Sequence, residues 1–479
     1  MLQGRVETYG TEAISGWALD TSRLSDDQFV DIYLDNQHCA TVRANLPSKT
    51  VNGKSCGFKF ALVSELKSGR EKGELSVRFR GTDRDLANAP RRMTFMTTPK
   101  RILVLIPAGA RYEHNKVRAH EKPIREMIET YTNTGDFTVY DSSLKLLAFK
   151  DVTAVKMKTF TDKDIDFYNR EGFDYCFLRG SNFINEHTDW GPLPELLKKL
   201  KMPIIPFAIG AQSESRRKLD LPEKAKEVWR LFSERCTTMG VRGDYTAEVL
   251  NDLGIKNVDI VGCPSLFRCN NPDLQIRAKK LEELRKVAFN MRREVSATYA
   301  ADIKRYLAVQ RDFIKRLNKR FDLTVTSHGE PPEKAFFFKD QELIAKHMPE
   351  LIKQGWFESE NDELVKIYRD QMFFSGTVAE HDVFARTMDL VLGFRVHGNL
   401  PALANGVPAI FVDYDQRSSE LARTFSIPCL TMDQLAKNDL DAIYHPDLWN
   451  EFNTRYRENY RRMAAFLDRN GMPHNMATV

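Results

Sequence analysis

No stretch of this 479-residue chain approaches eighteen uninterrupted apolar residues, and that argues against a membrane-spanning helix. The opening residues MLQGRVETYG show no basic segment followed by an apolar one, so no secretory leader is expected. Cysteine is sparse. Its seven residues, at 39, 56, 176, 236, 263, 269 and 429, form no C-x-x-C pair, and Cys263 and Cys269 lack a second His or Cys pair at zinc spacing. The expectation is reduced, buried thiols in a cytoplasmic protein without a metal site. A membrane-linked substrate would then be met peripherally, at the inner face of the membrane. Charge of one sign is also scarce: 71 basic against 66 acidic side chains leave +5. That excess suits small anions, and no Lys/Arg–aromatic stripe points to nucleic acid. There is no G-x-G-x-x-G and no P-loop, so the usual phosphate cradles of nucleotide sites are missing.

What is present is periodicity that changes once. Over residues 1–95 the pattern is period two, as in FVDIYLD (29–35) with Val30, Ile32 and Leu34 on one face, and again in GFKFAL (57–62) and ELSVRFR (74–80). Turn residues Asp35-Asn36 and Asn52-Gly53-Lys54 separate these runs. A small all-β domain is expected, followed by a linker around Ala89-Pro90 and Thr97-Thr98-Pro99-Lys100. From 101 short apolar runs alternate with helical segments: RILVLIP (101–107), YCFL (175–178), PIIPFAIG (203–210), TMGVR (238–242) and VDIVG (258–262). Between them PEKAKEVWRLFSERC (222–236) places Ala225, Val228, Leu231 and Phe232 on one helical face, and YTAEVLNDLG (245–254) closes on Gly254.

A second series starts near 286 with KVAFN (286–290), a charged helix over about 297–319, DLTVTSH (322–328), HDVFARTM (381–388), LVLGF (390–394), NLPALANG (399–406) and PAIFVD (408–413). The fold class expected is α/β, with two Rossmann-like lobes, 101–275 and 276–435, behind the β domain. A helical segment over 436–479 is expected to pack back on the body.

Candidate chemistry falls where strands end. In GFRVHGNLPALANGVPAIFVDYD (393–415) Arg395 and His397 lie between a strand end and a helix start, where ligands bind in open α/β sheets. A guanidinium fork suits carboxylate or phosphate, and an imidazole moves protons near neutral pH. The alternative is that Arg395 pairs with a core carboxylate and His397 caps the helix; both readings stay open. TMGVRGDYTAEVL (238–250) repeats the layout with Arg242 and a plausible helix cap at Asp244, and a structural Arg242–Asp244 pair is its alternative. In IVGCPSLF (260–267) Ser265 is a candidate contact. Cys263 would need an adjacent base to act as a nucleophile, and the sequence supplies none. FLRGSNF (177–183) and AIGAQSES (208–215) add Arg179, Asn182 and Gln212, and TSHGE (326–330) adds His328, a residue type that at such a position is more often structural.

VRGDYTAEVLNDLGIKNVDIVGCPSL (241–266) and GFRVHGNLPALANGVPAIFVDYDQRSSELARTFSIP (393–428), in that order, resemble the polysaccharide pyruvyl transferase family. The resemblance spans roughly 101–430. It implies a glycosyltransferase-B-like pair of lobes and transfer of the enolpyruvyl carbons of phosphoenolpyruvate to sugar hydroxyls, as a cyclic ketal, with release of phosphate. It implies no cofactor beyond that donor, and a glycan or lipid-linked saccharide as acceptor. It assigns Arg242, Arg395 and the Val396 backbone to the donor anion, and His397 to acid/base work or to the phosphate. The loops Arg179-Gly180-Ser181-Asn182 and Ala211-Gln212-Ser213-Glu214 depart from the family's Gly-rich and Gln-Gly patterns, and so leave the acceptor open. ISGWALD (14–20) and CGFKFAL (56–62) are similar to small β modules on bacterial glycan-synthesis enzymes, which implies an accessory or acceptor-presenting role. Competing functions are a nucleotide-sugar glycosyltransferase, for which Glu420 is the carboxylate to watch at a ribose diol, and a non-catalytic glycan-binding protein.

Overall fold

Alternating side chains make the first ninety residues a β unit. In the computed structural model, β3 (Phe29–Leu34) buries Val30, Ile32 and Leu34 as its period requires. It turns through Asp35 and Asn36, both left-handed at φ 50° and 63°, into β4 (Gln37–Arg43). Two left-handed residues match the twist of a tight hairpin, and Asn and Asp tolerate them. β1 (Leu2–Tyr9), β2 (Ala13–Asp20), β5 (Leu46–Pro47) and β6 (Ser55–Ala61) form one antiparallel sheet in the order β1-β2-β6-β5. β7 (Lys72–Phe79) and β8 (Arg91–Thr94) complete a second, β4-β3-β7-β8. Val6, Ile14, Phe58, Val77 and Phe79 share the core of this unit.

The chain divides into two units, Met1–Pro99 and Lys100–Ala477. The structure describes residues 2–477 apart from 10–12, 23–26, 49, 52–53, 62–71, 95–99, 107–109, 114–115, 120–122, 132, 158 and 294–301. The expected turn at Asn52-Gly53, the linker residues Thr97–Pro99, Pro107 and the start of the helix expected at 297 lie outside the described residues. That helix is seen over Ile303–Asn318, capped by the Asp302 side chain.

In the second unit β9 (Lys100–Leu105) is buried on both faces: Ile102 and Val104 join one core cluster, Leu103 and Leu105 the other. This is why its apolar run does not alternate. A short antiparallel hairpin, β10 (Ala110–Glu113) and β11 (Lys116–Ala119), follows. With β12 (Phe149–Ala154), β13 (Tyr175–Leu178) and β14 (Ile204–Pro206), β9 forms a parallel sheet in the order β12-β9-β13-β14. A parallel bridge, Ile209 to Val241, carries it on to β15 (Met239–Val241) and β16 (Val258–Ile260). β12 escapes the sequence reading because it is a half-exposed edge strand, FKDVTA, with few apolar residues.

The second lobe is a six-stranded parallel sheet of β17 (Lys286–Asn290), β18 (Asp322–Thr326), β19 (Met372–Phe373), β20 (Leu390–Gly393), β21 (Ala409–Asp413) and β22 (Cys429–Thr431). Its order is β19-β18-β17-β20-β21-β22, that is, 3-2-1-4-5-6. This is the doubly wound Rossmann arrangement, and the expected α/β class with two Rossmann-like lobes holds. The helix Asn450–Arg469 returns to the first lobe. Phe466 stacks on Phe207 at 5.7 Å between ring centres, while Trp449, just before the helix, donates Nε1–H to the Ala409 carbonyl of β21 at 3.1 Å.

Candidate functional site

In a 3-2-1-4-5-6 sheet the chain leaves β17 and β20 in opposite directions, which opens a crevice at their carboxyl ends. The crossing there is tight. Gly393 has φ +138°, and a Cβ on it would overlap the Asn290 carbonyl, so only glycine fits. Asn290 is held by Asn399, which accepts from its Nδ2 at 2.7 Å and itself donates to the Gly393 carbonyl at 2.9 Å. Arg395 then takes the cap position of the helix Val396–Ala404 without capping it through its side chain. Its Nε reaches the Met291 carbonyl at 3.4 Å, and its Nη2 pairs with Glu330, whose side chain is wholly buried. The structural alternative for Arg395 is therefore realised, in Glu330. Burial, then Arg292, lowers the Arg395 pKa, against the charge of Tyr131 and the hydrogen bond that Arg395 donates to its phenol oxygen. Val396 starts the helix with its side chain buried.

Across the crevice Arg242 follows β15 and is 1% exposed. Nε donates to the Ala208 carbonyl at 3.1 Å and Nη1 to Asn182 Oδ1 at 2.5 Å, while Nη2 is buried with no partner. No carboxylate pairs with Arg242 among the described residues. The alternative Arg242–Asp244 pair does not form: Asp244 bonds Arg216 and Arg423, each at 2.9 Å. Nor does Asp244 cap its helix. Gly243 holds the cap position of Asp244–Asp252, and the open N–H of Thr246 is taken by Glu420 from the other lobe at 2.6 Å. Thr246 Oγ1 lies 2.9 Å from the same carboxyl group. Glu420 has no exposed surface and its pKa is raised to about 7 by burial. A carboxyl group spent on a buried helix end is not offered to a ribose, which removes the feature that favoured a nucleotide-sugar enzyme.

Arg179 leaves β13, beside β9, where the first sheet's order also reverses. It donates to the Ile106 carbonyl at 2.8 Å and the Gly180 carbonyl at 3.0 Å, and pairs with Asp136 at 3.2 Å. Asn182 donates to Gln212 Oε1 at 3.1 Å, and Gln212 donates to Asp415 Oδ2 of the second lobe at 3.3 Å. Asn182 and Gln212 thus link Arg242 to the facing lobe. Ser265 is fully buried in the turn Pro264–Leu266 and accepts from Cys263 Sγ at 3.5 Å.

The two sides meet at His397. Its Nε2 lies 3.6 Å from Cys263 Sγ, so the other lobe places an imidazole beside Cys263 that the sequence order did not show. Burial first, then the charges of Arg242, Arg417, Arg179 and Arg395, hold the His397 pKa well below its ordinary value. A largely buried imidazole ringed by four guanidiniums lies in local positive charge of the kind an anion complements. His328 is buried beside this group with Nε2 unpartnered, and burial and Arg395 push its pKa far down as well. Its backbone is also structural: His328 N–H donates to Glu330 Oε2 at 3.1 Å, and its carbonyl accepts from Thr134 N–H at 2.9 Å. Val396 apart, every candidate side chain is gathered around one crevice.

Sequence reading missed Arg292, Arg417, Tyr414, Glu330, Asp136 and Tyr131. The Tyr414 phenol oxygen accepts from both Arg292 and Arg417, and Arg417 also pairs with Asp415 at 3.4 Å. Arg292 and Arg417 were findable. Each lies within four residues of the carboxyl end of a second-lobe strand, as Arg395 does. Glu330 and Asp136 give no such signal. Among the described residues no group of three or more His, Cys, Asp or Glu side chains is arranged to hold a metal ion.

The family model for polysaccharide pyruvyl transferase matches residues 127–416, more than half the chain. The chain belongs to the polysaccharide pyruvyl transferase family. All nine candidate residues of this pyruvyl transferase family member, Arg179 to His397, lie inside the matched span. A search of curated proteins finds no match. Among solved structures the chain is similar to a UDP-GlcNAc 2-epimerase of Methanocaldococcus jannaschii, bound to UDP-GlcNAc and UDP (13% identity, TM-score 0.39, 77% of this chain and 99% of that one). It is also similar to the glycosyltransferase SnogD of Streptomyces nogalater (11%, 0.32, 78% and 98%). The E. coli heptosyltransferase WaaC with ADP is a third such structure (8%, 0.28, 76% and 99%). Likeness at this level carries no functional weight for the transferase. No helix among its described residues is long and apolar enough to cross a membrane.

Proposed function

We propose that this transferase moves the pyruvyl carbons of phosphoenolpyruvate onto two hydroxyls of a sugar in a bacterial polysaccharide or its precursor, forming a ketal and releasing phosphate. One observation carries the reading: the buried guanidinium of Arg242, paired with no carboxylate among the described residues, stands with three further guanidiniums around His397. A desolvated charge without a counter-ion costs several kcal/mol, and a bound anion recovers that cost. A ligand with both a carboxylate and a phosphate engages Arg forks from both lobes at once.

Burial and the surrounding guanidiniums disfavour the imidazolium of His397. The donor's negative charge offsets the guanidiniums and lets the imidazole gain a proton. His397 then protonates the methylene carbon, and C2 acquires oxocarbenium character. A first sugar hydroxyl attacks C2 and returns its proton to His397. The C2–O bond to phosphate breaks, the second hydroxyl closes the ketal, and its proton leaves with the phosphate. Each donor thus gives one methyl group, one ketal and one hydrogen phosphate. The acceptor is a glycan or a lipid-linked saccharide; in the second case the enzyme works at the membrane surface.

The test is phosphate release from phosphoenolpyruvate with candidate glycan acceptors, beside a thermal-shift panel of phosphoenolpyruvate and nucleotide sugars. Stabilisation by a nucleotide sugar alone would sink the proposal. His397→Ala should lower turnover far more than donor affinity, and full turnover in that variant would remove its proton role.

A further inference from the structure

Cys263 stands against His397 in an arrangement with more than one contact. It lies beyond β16 of the first lobe with no exposed surface, and its Sγ reaches both His397 Nε2 at 3.6 Å and Ser265 Oγ at 3.5 Å. Cys263 is among the groups that act on the charge of Arg242, whose Nη2 is buried without a partner. A thiol has one proton and a weakly accepting sulfur. If that proton goes to Ser265 Oγ, the sulfur lone pairs face Nε2, and Nε2 must carry the hydrogen. A neutral imidazole has a single N–H, so Nδ1 is left with the lone pair. Nδ1 has no hydrogen-bond partner among the described residues, and the His397 side chain is partly exposed.

We propose that Cys263 is a positioning residue that holds His397 with its proton on Nε2 and presents Nδ1 as the nitrogen that moves protons at the substrate. The proposal rests on the reading above, in which His397 handles the proton. The choice of sulfur has a chemical reason. A carboxylate behind an imidazole stabilises the imidazolium and makes it a weaker acid. A neutral thiol orients the ring without adding negative charge. The groups that face the ring are Arg179, Arg242, Arg395 and Arg417, with His328 beside them. Backed by sulfur and ringed by these cations, the imidazolium formed when the donor arrives is a strong acid, as protonation of a carbon requires.

Cys263→Ala and Cys263→Ser test this. The alanine variant should lose at least tenfold in kcat with the KM for phosphoenolpyruvate within about twofold, and its pH–rate profile should shift. The serine variant, which can still meet Nε2, should recover most of the rate. Ring nitrogen NMR of 15N-histidine protein, with His397→Gln to assign the signals, should show the Nε2–H tautomer in wild type and a mixture in Cys263→Ala. An unchanged tautomer and profile in Cys263→Ala would overturn the proposal. So would a gain of one donor mass on incubating wild type with phosphoenolpyruvate alone, absent in Cys263→Ser, because the thiol would then be a nucleophile. If wild type releases no phosphate with any acceptor, the reaction reading fails, and the tautomer measurement still decides the contact.

Discussion

At the scale of single residues, Arg242 shows how a side chain is anchored and left available together. Two of its nitrogens fix the plane of the fork on Ala208 and Asn182, and the third is held in readiness. Lysine has one ammonium and cannot do both. Arg242→Lys should raise the KM for phosphoenolpyruvate about tenfold or more, since a charge-assisted hydrogen bond contributes about 1.5–3 kcal/mol. A wild-type KM in that variant would exclude Arg242 from the donor. The histidines carry a stability consequence too. Burial depresses His397, His328 and His381, the last to about 4. A folded-state pKa below the unfolded one means that the unfolded chain binds protons first as the pH falls. Their contribution is present above about pH 6.5 and is lost on acidification at about 1.4 kcal/mol per pH unit for each such group. Denaturant midpoints measured from pH 8 to 5 should fall, and His381→Gln should flatten the curve.

At the scale of elements, the helix Asp244–Asp252 begins without its own cap and borrows Glu420 from the facing lobe. Gly243 makes the approach possible, because a Cβ there would overlap Glu420 Cγ. Gly243→Ala should push the carboxyl group off Thr246 and cost about 1–3 kcal/mol, as overpacking does. A thermal scan showing no loss of stability would mean that the lobes accommodate the methyl group. Glu420 runs opposite to the histidines. Its pKa is raised in the fold, so its contribution is present at low pH and lost as the pH rises through about 7. Glu420→Gln keeps an acceptor for the Thr246 N–H and cannot ionise. Its melting temperature relative to wild type should therefore climb between pH 5 and 8; a constant difference would contradict the shift.

At the scale of the whole second unit, the chain's end ties the two lobes together. Phe466 lies on Phe207 and against Gly240 of the first lobe, Tyr456 and Tyr460 pack on Phe267, and Trp449 bonds β21 of the second. Beyond the helix, Asn475 N–H donates to the Leu146 carbonyl at 2.7 Å. Truncation after residue 445 would strip aromatic cover from both lobes. It should leave a chain that aggregates, or that is cut between the lobes by trace protease while the full chain resists. A truncated protein with an unchanged melting temperature would show the helix to be dispensable.

The sequence determined most strand runs of both lobes (β12, β19 and β22 apart), the period-two β unit and the strand ends that bear Arg179, Arg242, Arg395 and His397. Those features are local: a run of apolar residues, a strand end and a helix start lie within a dozen positions of one another. It could not supply partners distant along the chain. Glu330 beneath Arg395, Glu420 at Thr246 and Cys263 beside His397 are separated by 65 to 174 positions, and spacing carries no information at that range. Asp244 reads as a cap because a local rule says so, yet a buried carboxyl group from the opposite lobe takes the place. Only the tertiary structure decided which of several equivalent arginines stays without a counter-charge, because burial and pairing are properties of the packed chain and not of its order.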